Sequence, residues 1–354
     1  LLVVGNKTKE QFNGINLINL RLRVWSKTGW VYFWTPYLFY FFWLPPFLVS
    51  NAKNKTNETF FSSDSNILSI LIFWKKLLRL DFKICSDWHM LHSNWKDKFI
   101  SSNSDSLITT SDKLRRLLIS NGISAEEKTV TVYGGVDLQR FKGVDTARIK
   151  EKFGFPGDKK IVAYVGLFRT MGMEKGIDIM LESLHYLGNN IVMAFVGGKD
   201  NEISEYKKTA QGLGVLDRSF FIKKISDSNE VYEMEQSVDV LVIPYPDKPH
   251  FRFYGFPMKV YEYMASKRPI VYSKLGLIEE VLLDYGFPFI PDDPWSLAEV
   301  LKYVLSPGNT NEVNGKTNSA YNKLSELTWE DKARKKMNVN ELFQNNKILK
   351  EISK

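Results

Sequence analysis

The chain has 354 residues, 44% of them hydrophobic and 25% charged, which suits a folded protein with room for two cores. Its formal net charge of +8 invites an anionic partner, a nucleotide or a phospholipid surface. The charge is spread along the chain, which argues against nucleic acid, and a single cysteine excludes an internal disulfide framework and suits a reducing compartment.

Leu1–Val4 and Ile15–Val24 read as strands of an α/β domain. The chain starts at Leu1 with no initiator Met and no signal-peptide pattern, and reads as a fragment or a processed form. Glycosylation-type triplets at Asn6, Asn54 and Asn57 stand without other signs of secretion and read as incidental. Gly29–Val49 carries no charge and is rich in Trp, Tyr and Phe. Its length is that of a membrane span, but Pro36, Pro45 and Pro46 argue against one continuous helix. Two readings stay open with equal weight. One is a core strand, Val31–Trp34, followed by a short helix; the other is docking of the Trp30–Trp43 aromatics at a membrane surface. A true span is the minor alternative.

Asn51–Ser65 reads as an exposed loop and Ile67–Leu80 as a helix with a basic end. A short strand, Phe82–Ser86, holds Cys85 as a core residue and delivers Asp87-Trp88-His89 to the following loop. Histidine at the carboxyl end of a strand is where α/β enzymes place working groups, with His92 as the nearby competitor. Ser106–Thr110 is a strand, followed by a helix capped by Ser111 or Asp112 and running to Ile119. Val130–Val132 is a further strand. From about Lys142 the chain alternates strongly. Strands Ile161–Val165, Ile191–Val196, Phe220–Ile222, Val238–Ile243 and Ile270–Tyr272 are interleaved with helices Ile177–Leu187, Asn229–Gln236 and Leu277–Leu283. That is a doubly wound α/β pattern, whose ligands lie at strand carboxyl ends. Trp295–Leu305 and Trp329–Lys347 read as closing helices.

Tyr254–Ala265 reads as a tight turn feeding a helix, with Gly255 in the turn and Pro257 at the first helical position. The amides of Met258, Lys259 and Val260 would then face outward as an anion site, with the charge of Lys259 beside them. Glu262 follows one turn on, placed to accept hydrogen bonds from a sugar hydroxyl. A loop-to-helix junction with a solvated Lys and Glu is the plainer alternative.

Four elements in order give this stretch a context. Tyr133-Gly134-Gly135-Val136-Asp137 with Phe141 resembles an "NGVD…F" element, and Val165-Gly166-Leu167-Phe168-Arg169 with Lys175-Gly176 a "GR…KG" element. Val196-Gly197-Gly198 resembles a "GxG" turn, and Pro257–Ser266 an "SPxKxxEYMAxG" donor motif. Together they resemble the retaining family-4 glycosyltransferases of GT-B fold, from about Phe82 onward. The resemblance implies two Rossmann-like domains facing across a cleft. Residues 1–142 would form the acceptor side, truncated at its start and completed by 329–354, where a final helix crosses back. Residues 143–328 would bind the donor. It also implies that Arg169 and Lys175 neutralise the donor diphosphate, that Glu262 holds the ribose, and that His89 lies under the transferred sugar. Asp227 would sit beside the base.

The function so implied is transfer of a hexose from a nucleotide-diphosphate sugar to a lipid-linked or polysaccharide acceptor. The setting would be cytoplasmic, at the membrane face. No cofactor or metal is expected: no two aspartates form an Asp-x-Asp triplet, and the histidines do not cluster. Two departures stand against the family pattern. Tyr254 occupies the place of the usual first glutamate, and the glycine-rich loop expected after the first strand is missing. They motivate an alternative, a GT-B protein that binds a nucleotide-sugar or a partner without turnover. A nucleotide-sugar epimerase is a further rival, disfavoured because the chain is poor in histidine.

Overall fold

The computed structural model describes residues 2–3, 11–12, 15–16, 18–19, 29–52, 59–91, 93–142 and 145–337. Contacts divide the chain into two units, Leu1–Asp87 with His92–Leu107, and Trp88–Leu91 with Ile108–Lys354. At the amino end the strands Leu2–Val3 and Ile18–Asn19 pair in parallel, as expected of an α/β chain; the rest of the two predicted strands is outside the described residues, apart from Ile15–Asn16.

In the first unit the aromatic segment forms one helix, α1 (Gly29–Ala52), running through Pro36, Pro45 and Pro46. The expected strand at Val31–Trp34 is therefore corrected to helix. Pro45 has no amide hydrogen to offer the carbonyl of Phe41 one turn back, which normally breaks a helix. The indole of Trp74 donates to that carbonyl instead, at 2.9 Å, and the rings of Phe41 and Trp74 pack with centroids 5.1 Å apart. Tyr40, Leu44 and Leu48 form the buried stripe of α1, at helical spacing. Leu38 and Phe42 stay 59% and 73% exposed. No helix among the described residues is long and apolar enough to cross a membrane.

Trp74 belongs to α2 (Ser65–Leu77), whose start is capped by Asp64 through the amides of Asn66 and Ile67 at 2.8 and 3.0 Å. The same carboxylate accepts the hydroxyl of Tyr37 from α1 at 2.9 Å. The expected loop before α2 contains a strand, β1 (Thr59–Ser62), paired in parallel with β2 (Lys83–Trp88). Phe60 explains it, since its ring packs 4.6 Å from that of Phe82. Cys85 is buried in β2, as a small core residue. Helix α3 (Trp95–Asn103) and strand β3 (Ser106–Thr109) follow.

The second unit opens with α4 (Asp112–Ser120), capped by the Ser111 hydroxyl on the amide of Leu114, and β4 (Thr129–Thr131). This segment is fastened to later elements of the unit. The carboxylate of Glu280 accepts the Asp112 amide at 2.8 Å, and the Gly134 amide donates to the hydroxyl of Tyr261 at 3.1 Å. After α5 (Thr146–Lys152) come the six strands of one parallel sheet. They are β5 (Lys160–Val165), β6 (Ile191–Gly198), β7 (Ser219–Lys223), β8 (Val240–Ile243), β9 (Ile270–Ser273) and β10 (Phe287–Phe289). Their order is β7-β6-β5-β8-β9-β10.

All residues of β6 are buried, and all of β5 past Lys160, so both read as continuous apolar runs, as a sheet covered on both faces requires. The connecting helices are α6 (Ile177–Ser183), α7 (Asp200–Gly212), α8 (Ser228–Ser237), α9 (Pro249–Phe253), α10 (Lys259–Ala265), α11 (Gly276–Leu282) and α12 (Pro294–Leu305). The strand order reverses between β5 and β8, and a crevice opens outside the carboxyl ends of strands at such a point. Helices α13 (Thr310–Lys323) and α14 (Trp329–Met337) complete the described chain. The predicted closing helix beyond Met337 lies outside the described residues.

The Trp74–Phe41 bond gives a stability prediction. Trp74→Phe keeps the ring and leaves the Phe41 carbonyl without its donor, and should cost about 1–3 kcal/mol in denaturant unfolding. Pro45→Ala restores a local amide, so Trp74→Phe should cost clearly less in that background. Equal costs in both backgrounds would show that the indole only packs.

Candidate functional site

The end of β5 is built around one backbone group. The amide of Val165 donates to the hydroxyl of Tyr263 at 2.9 Å, and that hydroxyl donates to the Val165 carbonyl at 3.1 Å. The Lys259 ammonium donates to the same carbonyl at 2.7 Å and lies 3.8 Å from the ring centroid of Tyr164. Gly166 follows with φ of +149°, and a Cβ there would stand 2.2 Å from Lys259 Nζ, so no larger residue fits. At Gly176, with φ of +80°, a Cβ would stand 1.8 Å from the carbonyl oxygen of Pro244, which forces the same choice.

These close approaches frame a cavity of about 340 Å³ at the reversal point. Its walls are Val165 at the end of β5 with Gly166 and Leu167 after it, Val196 and Gly197 from β6, Lys224 and Ile225 after β7, and Tyr245 after β8. Helix α8 contributes Val231 and Glu235; Pro257, Met258, Lys259 and Glu262 come from the start of α10, and Lys175 closes the wall before α6. Burial lowers the pKa of Lys175, whose ammonium lies 5.1 Å from the ring centroid of Tyr245. Burial also holds Lys259 well below the usual lysine range, with the charge of Lys175 adding to it. The carboxyls move the other way: burial raises Glu262, and raises Glu235 well above the usual range. Two lysines and two carboxyls thus share one partly buried space.

Of the residues singled out from sequence, Lys175, Met258, Lys259 and Glu262 meet in this cavity. The stretch Tyr254–Ala265 differs in detail from its expected form. Helix α10 starts at Lys259 with Met258 as its cap, so Pro257 precedes the helix. Val260 is fully buried and its amide donates to the Pro257 carbonyl at 3.1 Å, so it is not an outward-facing anion donor as expected. The first turn is wound tighter than an α-turn, and that uses up the amide. Gly255 lies in the turn after α9, its amide on the His250 carbonyl at 2.8 Å.

Arg169 is outside the cavity wall. It sits in the hairpin Arg169–Thr170/Met173–Glu174 and is held by Glu174 at 2.8 Å and Glu205 at 2.7 Å. Asp227 caps α8 through the Asn229 amide at 2.9 Å and is exposed, and it does not line the cavity either. His89 directly follows β2 and is exposed, at the strand end where sequence placed it. His92 lies outside the described residues. Glu235, Lys224 and Tyr245 belong to the wall but were not singled out from sequence. Glu235 lies within a correctly expected helix, but which face of α8 turns inward depends on tertiary packing.

Comparison with known proteins supplies a family. The model of the family "Glycosyl transferases group 1" matches residues 145–319. Spore coat protein SA of Bacillus subtilis (strain 168) is 31% identical over 231 residues, which cover 59% of this chain and 58% of that protein. The chain spans about half the length of the curated relatives it matches. Among solved structures, a glycosyltransferase from Rickettsia africae ESF-5 superposes with a TM-score of 0.74 at 16% identity, covering 93% of this chain and 86% of that one. Anabaena Alr3699/HepE in complex with UDP superposes with a TM-score of 0.70 at 16% identity, covering 85% of this chain and 82% of that one. The α/β fold is thus that of GT-B glycosyltransferases, and residues 145–319 match the model of the group 1 glycosyltransferases.

Proposed function

We propose that the protein is a retaining glycosyltransferase that moves a hexose from a nucleotide-diphosphate sugar to a lipid-linked or polysaccharide acceptor. The observation that carries this reading is the cavity at the reversal point, where Lys175 and Lys259 share a wall with Glu262. A nucleoside diphosphate asks for that combination, with cations toward its phosphates and a carboxyl toward its ribose. The UDP complex of the Anabaena protein supports a donor of this class.

Departure of the nucleoside diphosphate builds negative charge as the glycosidic bond breaks, and a fixed ammonium stabilises that charge most where water is scarce. Lys175 fills this role. Its lowered pKa has a sign consequence: a bound diphosphate favours the charged ammonium, so donor binding takes up protons as pH rises toward that pKa. Arg169 acts as a second clamp once the donor competes with Glu174 and Glu205 for its guanidinium. His89 positions the transferred sugar, and Asp227, Gly255, Met258 and Val260 shape the donor side. Charge stabilisation by these cations makes the transfer metal-independent in this reading. Exposed Leu38 and Phe42 on α1 dock at the cytoplasmic membrane surface, where a lipid-linked acceptor would be found. The side chain of Trp30, part of the expected patch, lies outside the described residues.

A second reading, donor or partner binding without turnover, is favoured by Tyr254 in place of a carboxylate and by the double pairing of Arg169. Radiolabelled donor incubated with a membrane extract separates the two readings. Labelled glycan or lipid supports transfer, and binding with neither transfer nor hydrolysis supports the alternative.

Three outcomes follow for the active protein. Glu262→Ala should raise the KM for donor about tenfold or more with a smaller change in kcat; an unchanged KM removes Glu262 from the site. Lys175→Ala should lower kcat about 10²–10³-fold, and wild-type kinetics would refute the clamp. Replacing both Leu38 and Phe42 with Ser should release the protein from anionic liposomes in a flotation assay. A wild-type protein that never floats with them refutes membrane docking.

A further inference from the structure

Glu235 is 1% exposed, and its Oε2 has no hydrogen-bond partner. The residue nevertheless lines the 340 Å³ cavity, one helical turn after Val231, which lines it too. A buried carboxyl with an unused oxygen is costly, and such groups persist where something else completes them. The nearby Lys259 is not that partner. Its ammonium donates to the Val165 carbonyl, and among the described residues no hydrogen bond or ion pair joins Lys259 to Glu235. Glu262 enters the same cavity from α10, near enough for its charge to act on Glu235. The cavity thus receives two carboxyls from two helices.

We propose that Glu235 is a specificity-determining residue that joins Glu262 in binding the vicinal 2′ and 3′ hydroxyls of a nucleoside diphosphate's ribose. This rests on the nucleotide-sugar reading of the same cavity. Each ribose hydroxyl both donates and accepts, so two adjacent hydroxyls are matched by two carboxyl groups. Burial and the charge of Glu262 hold Glu235 toward its protonated form, in which it offers one donor and one acceptor. A ribose hydroxyl would complete the bonding of Oε2, and a deoxyribose would leave it unmet, which is how a polar site rejects an analogue lacking a hydroxyl.

The test measures dissociation constants by calorimetry for the full chain, Glu235→Gln and Glu235→Leu. The probes are UDP, ADP and GDP, each with its 2′-deoxy and 3′-deoxy forms, and thermal unfolding checks that each variant is folded. Glu235→Leu should weaken the best-bound ribonucleoside diphosphate about 10- to 100-fold, while binding of one of its deoxy forms changes far less. Glu235→Gln keeps a donor and an acceptor and should stay within a few-fold of wild type. The proposal is overturned if Glu235→Leu weakens ribo and deoxy forms equally, as a packing role would, or weakens neither. A wild-type protein that binds none of the diphosphates defeats the nucleotide reading itself, and the role of Glu235 with it.

Discussion

The parallel sheet of the second unit and the helix start beside it are held together at the carbonyl of Val165. Strand β5 ends there, and both Lys259 and Tyr263 of α10 reach back to it. A sheet strand and the start of a helix nearly a hundred residues later are thereby held at one distance. Gly166 permits the approach by having no side chain to interpose. With that distance set, the space between them becomes a cavity of defined width, and Lys175, Glu262 and Glu235 acquire fixed positions on its wall. Tyr263 and Lys259 therefore do structural work, and Glu262 and Lys175 line the cavity beside them.

The electrostatics of that wall follow from its burial. Burial raises the carboxyls and lowers the ammoniums, so each group is drawn toward its neutral form. Among the described residues no ion pair joins the lysines of the cavity to its carboxyls. Arg169 differs, since Glu174 and Glu205 already satisfy it.

Much of this was legible in the chain. Ile161–Val165 and Ile191–Val196 stood out because strands buried on both faces are unbroken apolar runs. Lys259 and Glu262 could be named because Gly255 and Pro257 mark the turn beside them, and Lys175 through the resemblance of its stretch to a family element. What was missed depended on distant partners or weak local preference. Helix α13 is rich in Asn and carries a Gly, and it is organised only by burying Val313, Thr317 and Ala320. Strand β10 is masked by the central Pro288 between Phe287 and Phe289. Glu235 was hidden because periodicity says little about which carboxyl of a short charged helix turns inward.

The proline rule failed at α1 for a reason with consequences for assembly. The donor that replaces the missing amide of Pro45 comes from α2, so α1 cannot complete its own backbone bonding in isolation. Alone it would carry an unpaired carbonyl in its most apolar stretch, and its helical order is conditional on the neighbour. The two helices therefore gain order cooperatively, with α2 acting as the template on which the aromatic helix is finished. During synthesis α2 emerges later than α1, which leaves an interval in which the most hydrophobic segment of the chain is its least committed one.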